Sequence, residues 1–314
     1  MKIEMNSRTG SILRKEDAVR RTTIIEAPRL SKKVGVDLVI ASEAFQHTGS
    51  FKFRGAYNVA SQVPEDLLIT SSSGNFGLAL AYACSLLKKS CIVVMPTSSA
   101  TVKIDAVREY GGQVELIDIR IKSRAERVAE LARCHPEAYV AMASDDDLVI
   151  EGNSSLGKEL AMLRPMPETV VSPIGGGGLI SGIILGVKGQ GIRVVGAEPL
   201  LANDAARSLR AGEIVANPSE PPTIADGART LSLGKRNWEI MRGALSTIIE
   251  VPEETIVEAV RLLFGLANLK VEPTGALSIA AVMAQPELFR GQSVCCVVSG
   301  GNVDPVVYAH ILAG

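Results

Sequence analysis

The sequence predicts an α/β protein made of two doubly wound, open-sheet domains with a cofactor cleft between them. Three observations carry this. From about residue 67, short β-branched and aliphatic runs alternate with amphipathic stretches. The alternation resumes as a second, longer set in the second half of the chain. Small-residue turns, Ser72-Ser73-Gly74-Asn75, Gly175-Gly176-Gly177-Gly178 and Ser299-Gly300-Gly301-Asn302, follow strand-like runs, where parallel sheets carry their ligands.

In the first set, 67–70 reads as a strand, 76–87 as a helix and 91–95 as a strand. A helix over 102–110 stops at Gly111-Gly112. A strand at 114–117, a helix over 124–133 and a strand over 138–143 complete a small α/β domain, placed at 68–143. In the second set, 159–163 lies in a helix, and the buried strand 169–171 runs into the glycine loop. A helix over 178–187, a strand over 192–197, a Pro/Gly/Thr-rich region over 212–236, a strand at 248–251, a long helix over 254–269 and a strand over 293–298 follow. Residues 1–66 are irregular, and their own pattern does not assign them to either set.

Composition narrows the class. The 314 residues are 46% hydrophobic and 21% charged, with 33 basic against 34 acidic side chains. No basic excess marks a nucleic-acid binder. Cysteines at 84, 91, 134, 295 and 296 form no C-x-x-C pair and read as buried free thiols of a reducing compartment. Residues 1–21 contain no apolar h-region, and the apolar stretch 170–187 is broken by glycines. These features predict a cytoplasmic protein with no membrane partner. The three histidines are isolated, without zinc spacing, and no G-x-S-x-G elbow occurs.

Lys52 lies between two aromatics in Ser50-Phe51-Lys52-Phe53-Arg54-Gly55. A lysine amine forms a Schiff base only when unprotonated, and apolar surroundings favour that form. Four consecutive glycines, 175 to 178, are entropically expensive and point to a close backbone approach. At a helix start their N–H groups bind phosphate. The segment is no dinucleotide fingerprint, because Ile180 stands where a third glycine belongs. One lysine, one glycine cradle and two Ser/Gly/Asn turns suffice to hold a phosphorylated aldehyde cofactor and bond it covalently. Gly152 to Lys158 is a near miss to a P-loop that ends in Glu159 rather than Ser/Thr, and it reads as a helix N-terminus with Lys158 on the surface. Glu198 and Asp204, with a backbone carbonyl, have the donors for a hard cation, but taken alone they read as solvated surface acids.

Together and in this order, these segments resemble the fold-type-II (tryptophan synthase β-like) pyridoxal-phosphate enzymes, in particular the serine/threonine dehydratase and serine racemase group. Gln46-His47-Thr48-Gly49-Ser50-Phe51-Lys52-Phe53-Arg54-Gly55-Ala56 is similar to that family's lysine motif. Thr223-Ile224-Ala225-Asp226-Gly227 and Val271-Glu272-Pro273-Thr274-Gly275-Ala276 also match family segments. The resemblance implies pyridoxal 5'-phosphate bound to Lys52, which would also remove the substrate α-proton. It implies Phe51 and Gly227 about the pyridine ring, Asn75 at the ring oxygen, and Gly175, Gly176, Gly177 and Gly178 around the phosphate. Ser299 would face the pyridine nitrogen, and Glu272 would belong to the cofactor site. Ser72, Ser73, Asn75 and Phe76 fall on the substrate side, with Ser73 where the racemase carries its opposite-face acid/base. Glu198, the Ala202 carbonyl and Asp204 match the spacing of the family's site for Mg²⁺ or another divalent cation. The resemblance also places 1–67 with 144–314 in one large domain and implies a homodimer.

A serine hydroxyl cannot keep the pyridine nitrogen protonated as a carboxylate would, which weakens the ring as an electron sink and favours elimination over a long-lived carbanion. The expected activity is therefore a dehydratase (ammonia-lyase) that converts a 3-hydroxy amino acid, such as serine or threonine, to a 2-oxo acid and ammonia. An amino acid racemase and a β-replacement synthase are the competing enzymes. A non-catalytic phosphate- or nucleotide-binding protein is the competitor from another class. Two departures from the family pattern, Phe76 in place of histidine and Gly152-Asn153-Ser154-Ser155 in place of Gly-Gln-Gly-Thr, are expected close to the substrate. No regulatory domain follows Gly314 in this sequence, so isoleucine feedback is not expected.

Overall fold

The computed structural model describes residues 18–72, 74–99 and 101–314. Among them, two sheets organise the chain. The larger has the order β1-β2-β10-β7-β8-β9: β1 (Thr23–Glu26), β2 (Leu38–Ser42), β7 (Thr169–Pro173), β8 (Arg193–Pro199), β9 (Ile248–Val251) and β10 (Val294–Val298). All neighbours are parallel except the edge pair β1–β2. Strands β7 and β10 are buried at every residue, as expected where helices cover both faces.

Alternate side chains feed two cores. Val294, Cys296 and Val298 pack with α1 (Pro28–Val34), α10 (Glu253–Ala267), α11 (Pro273–Ala284) and α12 (Pro305–Ala313). Cys295 and Val297 face α6 (Asp147–Ala161), α7 (Gly178–Gly186) and α9 (Lys235–Met241). Each fully buried Val, Leu or Ile contributes roughly 1.5–3 kcal/mol of transfer free energy.

The smaller sheet, β5-β4-β3-β6, comprises β3 (Leu67–Ser71), β4 (Ser90–Pro96), β5 (Gln113–Ile117) and β6 (Tyr139–Val140), all parallel. It is served by α3 (Asn75–Leu87), α4 (Thr101–Glu109) and α5 (Arg124–Cys134). Helix α2 (Lys52–Gln62) lends Phe53, Ala56, Tyr57, Val59 and Ala60 to this sheet's core while also packing on α6.

The expected alternation is present, with three corrections. The strand expected over 138–143 ladders only at Tyr139–Val140. Beyond Ala141, whose N–H still bonds the Ile69 carbonyl at 2.9 Å, the chain turns away and presents the Ala143 carbonyl to Lys52. Gly152 to Lys158 is not a helix N-terminus. Helix α6 begins a turn earlier, where the Asp146 carboxylate accepts from the N–H groups of Leu148 and Val149. Gly152 lies within that helix because a Cβ there would come 2.5 Å from the Arg54 carbonyl oxygen. Of the cysteines, Cys134 is exposed, whereas the other four are buried free thiols as expected.

Helix α11 escaped sequence analysis because ten of its residues, Pro273 to Val282, are buried, so it carries no polar face.

Candidate functional site

A cleft of about 500 Å³ lies between the two sheets at the C-terminal ends of β3, β7 and β10. Lys52, the first residue of α2, lines it, as do Ser72, Asn75 and Phe76 from the small sheet and Gly175 to Gly178, Gly227, Glu272 and Ser299 from the large one. The start of α2 is pinned to the strand ends: the Phe51 N–H donates to the Ser299 carbonyl at 3.0 Å, and Ser50 bridges Gly300.

The Lys52 amine donates to the Ala143 carbonyl at 2.7 Å. It lies 5.0 Å from the Phe51 ring centroid and 5.7 Å from that of Phe76. Burial pulls its pKa down to about 8, against a smaller upward pull from the Glu272 charge. Glu272 is itself buried, which pushes its carboxyl up to about 7, with the nearby Asp226 charge adding to the rise. Both Glu272 oxygens accept from the Asn75 amide, at 3.0 and 3.1 Å. The Asn75 oxygen accepts from the Asn302 amide at 2.8 Å, and that amide also donates to the Thr48 carbonyl at 2.7 Å.

The glycine loop is closely hemmed in. A Cβ on Gly175 would lie 2.6 Å from the Gly227 carbonyl oxygen, and one on Gly176 2.5 Å from Ser144 Oγ. Gly177 has φ +93°, and a Cβ there would meet Asn237 Cβ at 2.7 Å. Asn237 braces the loop from behind, donating to the Gly176 carbonyl at 2.8 Å and the Ser144 carbonyl at 3.0 Å. Thr274 Oγ1 accepts the Gly227 N–H at 2.9 Å. The Ser299 hydroxyl is buried and has no hydrogen-bond partner among the described residues.

The structure thus brings together every residue expected at the cofactor. Ser73, expected as a catalytic and substrate residue, lies outside the described residues. None of Gly152, Asn153, Ser154 and Ser155 lines the cleft, although the Asn153 amide donates to the Gly178 carbonyl at 3.1 Å from behind the glycine loop. Gly152 and Ser155 line a second cavity beside Arg54 and Glu159, so only Phe76 of the two departures faces the site. Sequence analysis missed Ala143, Ser144 and Asn237. It quoted Thr274 and Asn302 within longer segments but gave neither a role. The missed residues act through backbone carbonyls or from distant helices, and no local pattern marks them.

The chain matches the family described as "Pyridoxal-phosphate dependent enzyme" over residues 15–300. It belongs to that family. It is 35% identical over 307 residues to an L-threo-3-hydroxyaspartate ammonia-lyase of Pseudomonas sp., covering 96% of each chain. It is 34% identical over 304 residues to the serine racemase of Mus musculus, covering 92% of this chain and 88% of the other. The crystal structure of a threonine deaminase of T.th. superposes with a TM-score of 0.86 at 39% identity, covering 91% of this chain and 94% of the other. Membership sets aside the reading of a non-catalytic nucleotide-binding protein.

The geometry of this pyridoxal-phosphate enzyme fits its cofactor. A lysine amine with a lowered pKa, a loop in which side chains have no room, and an orphaned buried hydroxyl lining the same cleft suit such a group.

Glu198 and Asp204 are not the solvated surface acids that they resemble in isolation; both are buried, as is Ala202 between them. Glu198 accepts from the Ala205 and Ala206 N–H groups at 3.2 and 2.6 Å, and Asp204 Oδ1 accepts from Asn217 at 2.9 Å. Asp204 Oδ2 is buried without a partner among the described residues. Burial pushes Glu198 up to about 8 and Asp204 up to about 6. Two neighbouring buried carboxyls, one with an orphaned oxygen, suit a hard cation. No group of three or more His, Cys, Asp or Glu side chains placed to hold a metal occurs among the described residues, so a cation here would rest on two carboxylates, a carbonyl and water.

Proposed function

We propose that the protein is an ammonia-lyase that dehydrates a 3-hydroxy amino acid to a 2-oxo acid and ammonia, with Lys52 as both cofactor attachment point and base. The observation that carries this reading is the pairing of a depressed Lys52 amine with the unpartnered Ser299 hydroxyl in one cleft. Similarity to an L-threo-3-hydroxyaspartate ammonia-lyase and to a threonine deaminase supports it.

With a pKa of about 8, roughly a tenth of the Lys52 amines are free at pH 7, against fewer than a thousandth of ordinary lysines. The Ala143 carbonyl fixes the amine's direction and holds a proton on Nζ after transfer. Phe51 and Phe76 keep water from that proton. Gly175 to Gly178, braced by Asn237, would hold the phosphate. Phe51 and Gly227 would flank the ring, and Asn75, oriented by Glu272 and Asn302, would meet its oxygen. Ser299 would face its nitrogen, and being a hydroxyl would leave it unprotonated. Pyridoxal phosphate, when bound, supplies the electron sink for cleavage of the α-C–H bond. Ser72, Ser73 and Asn75 would bind the substrate carboxylate, and Phe76 would border the β-substituent.

The large domain is proposed as 1–67 and 144–314 and the small one as 68–143; the presence of two sheets supports two domains, although β3 of the small sheet already begins at Leu67. Glu198, Asp204 and the Ala202 carbonyl would hold Mg²⁺ or another divalent cation away from the cleft. A homodimer and a cytoplasmic location complete the reading. Family resemblance supports the dimer, and four buried free thiols support the location. Among the described residues no helix is long and apolar enough to cross a membrane. Racemisation is the second reading, favoured by the likeness to serine racemase and by the serine at position 73.

The test is oxo-acid release from L- and D-3-hydroxy amino acids, from serine and threonine to 3-hydroxyaspartate and phenylserine. Oxo acid from at least one, absent in Lys52→Ala, is expected. Inversion of the α-carbon without oxo acid would replace the lyase by the racemase.

A further inference from the structure

Arg54 is the largest fully buried side chain among the described residues, and it lies two residues beyond Lys52 on α2. Its guanidinium forks onto Glu43, with Nε 2.7 Å from Oε2 and Nη2 2.8 Å from Oε1. Its third nitrogen reaches Glu159 Oε1 at 2.8 Å and Ser155 Oγ at 2.9 Å. None of these side chains lines the cleft.

Their anchor points nevertheless surround it. Glu43 directly follows β2, and its N–H donates at 2.9 Å to the carbonyl of Val298, the residue before Ser299. Glu159 is on α6, the helix entered from the segment that carries Ala143. One guanidinium therefore ties the first turn of α2 to the strand ends beneath Ser299 and to the helix behind Ala143. Residues two apart on an α-helix are about 200° apart around the axis, so Arg54 grips the side of the turn opposite Lys52.

A buried ion pair is weak evidence for stability, because apolar replacements are often as stable. A planar fork bound at both edges does fix orientation. A lysine amine roughly 8 Å from a helix axis moves about 1.4 Å when the turn rotates by about 10°. A misplacement of about 1 Å is enough to slow a reaction about 100-fold.

We propose that Arg54 is a positioning residue for Lys52, with Glu43 and Glu159 as the fixed points that set the rotation of the first turn of α2. This rests on the reading of Lys52 as attachment point and base.

The test compares R54K, the double variant R54M/E43Q and E159Q with the parent protein. The Glu159 side chain is 24% exposed, so E159Q is the mildest of the three changes and is expected to fold. Thermal unfolding establishes folding. The Lys52 amine is then titrated in the cofactor-free proteins by pH-dependent acetylation read by mass spectrometry, and kcat and KM are measured with cofactor. In R54K and R54M/E43Q the amine is expected to leave its value of about 8 and titrate nearer that of free lysine, about 10. Their kcat is expected to fall at least about 10-fold with KM within about threefold. E159Q is expected to lose about threefold to tenfold in kcat. A merely stabilising cluster would lower the melting temperature and leave the Lys52 titration in place. Any folded variant among R54K, R54M/E43Q and E159Q with parental titration and kcat overturns the proposal; should the first two not fold, E159Q decides alone. The Lys52 reading fails separately, if K52A keeps a borohydride-reducible cofactor.

Discussion

Replacing Gly175 with alanine tests the proposed phosphate cradle at its tightest backbone contact. The added Cβ would lie 2.6 Å from the Gly227 carbonyl oxygen and 3.3 Å from Ala228 Cα. A carbon meets a carbonyl oxygen at about 3.3 Å at closest, so the two backbones must part by roughly 0.7 Å. Neither yields freely. Gly227 is held at 2.9 Å by Thr274 on the buried helix α11, and the Ile174 N–H beside Gly175 bonds Ala197 at 2.8 Å. Overpacking of this kind costs about 1–3 kcal/mol. If the cofactor re-imposes the parental geometry, that becomes a loss of roughly 5- to 150-fold in affinity. Gly176→Ala is the control, because its Cβ would meet side-chain atoms and no backbone: the Ser144 hydroxyl at 2.5 Å, which can swing aside, and Ser144 Cβ at 3.2 Å, which need give only slightly. Absorbance titration of cofactor-free protein with pyridoxal phosphate measures both, and G176A is expected within about threefold of the parent. Equal damage from the two substitutions, or parental affinity in G175A, would refute the reasoning.

Three other predictions are independent of the cradle. The rate of cofactor attachment to cofactor-free protein should rise with pH around a midpoint near 8, and Glu272→Gln should lower that midpoint, because the Glu272 charge raises the Lys52 pKa; a midpoint near that of free lysine, about 10, would contradict the burial argument. Burial raises the Glu198 and Asp204 carboxyls, so the stability linked to them is fully present below their unfolded pKa values, about 4, and is lost as pH rises through about 6 and about 8. In EDTA the melting temperature should therefore fall between pH 5 and pH 8.5, Mg²⁺ should cancel the fall, and E198Q should flatten it; an equal response to Mg²⁺ in E198Q would dismiss the cation site. Phe76, buried yet on the cleft wall, should favour a bulkier or less polar β-substituent than that of serine. Phe76→His should shift the kcat/KM ratio toward serine by about 10-fold, the scale of one small group in a pocket, and near-equal turnover of serine and phenylserine by the parent would count against this.

Much of the frame was legible because strands and helices here keep their own periods. Strands β3, β4, β5, β7, β8, β9 and β10 and helices α3, α4, α5, α7 and α10 were anticipated, with ends displaced by a residue or two. Legibility failed where burial removes the period, as in α11, whose apolar residues face every direction. It failed again where one residue serves two elements, as at Gly152, a glycine placed for the passage of α2 rather than for a phosphate. The cleft residues with unusual local chemistry, Lys52 and the four glycines, announced themselves. Asn237 and Ala143 did not, since a brace from a distant helix and a carbonyl without a side chain leave no mark in sequence. Glu198 and Asp204 illustrate the reverse error: acids read as solvated until the fold encloses them.

One physical cause runs through the site. The dryness that pulls Lys52 down from 10.5 to about 8 also pushes Glu272 up from 4.5 to about 7. In water these groups would be a fixed ion pair, separated by about six units of pKa, or roughly 8 kcal/mol. In the cleft burial pulls the two groups toward one another, so the Lys52 amine gives up its proton near neutral pH far more readily than a solvated lysine does. That balance belongs to neither residue alone. The cleft is walled by Phe51 and Phe76, floored by buried strand ends, and roofed by the segment that crosses from the small sheet at Ala143. Anything that lets water between the two sheets should restore the gap and slow proton transfer before it unfolds the protein. The two-sheet architecture therefore sets the ionisation of Lys52 by controlling hydration, and Arg54, as proposed, adds a fixed point for where that amine sits.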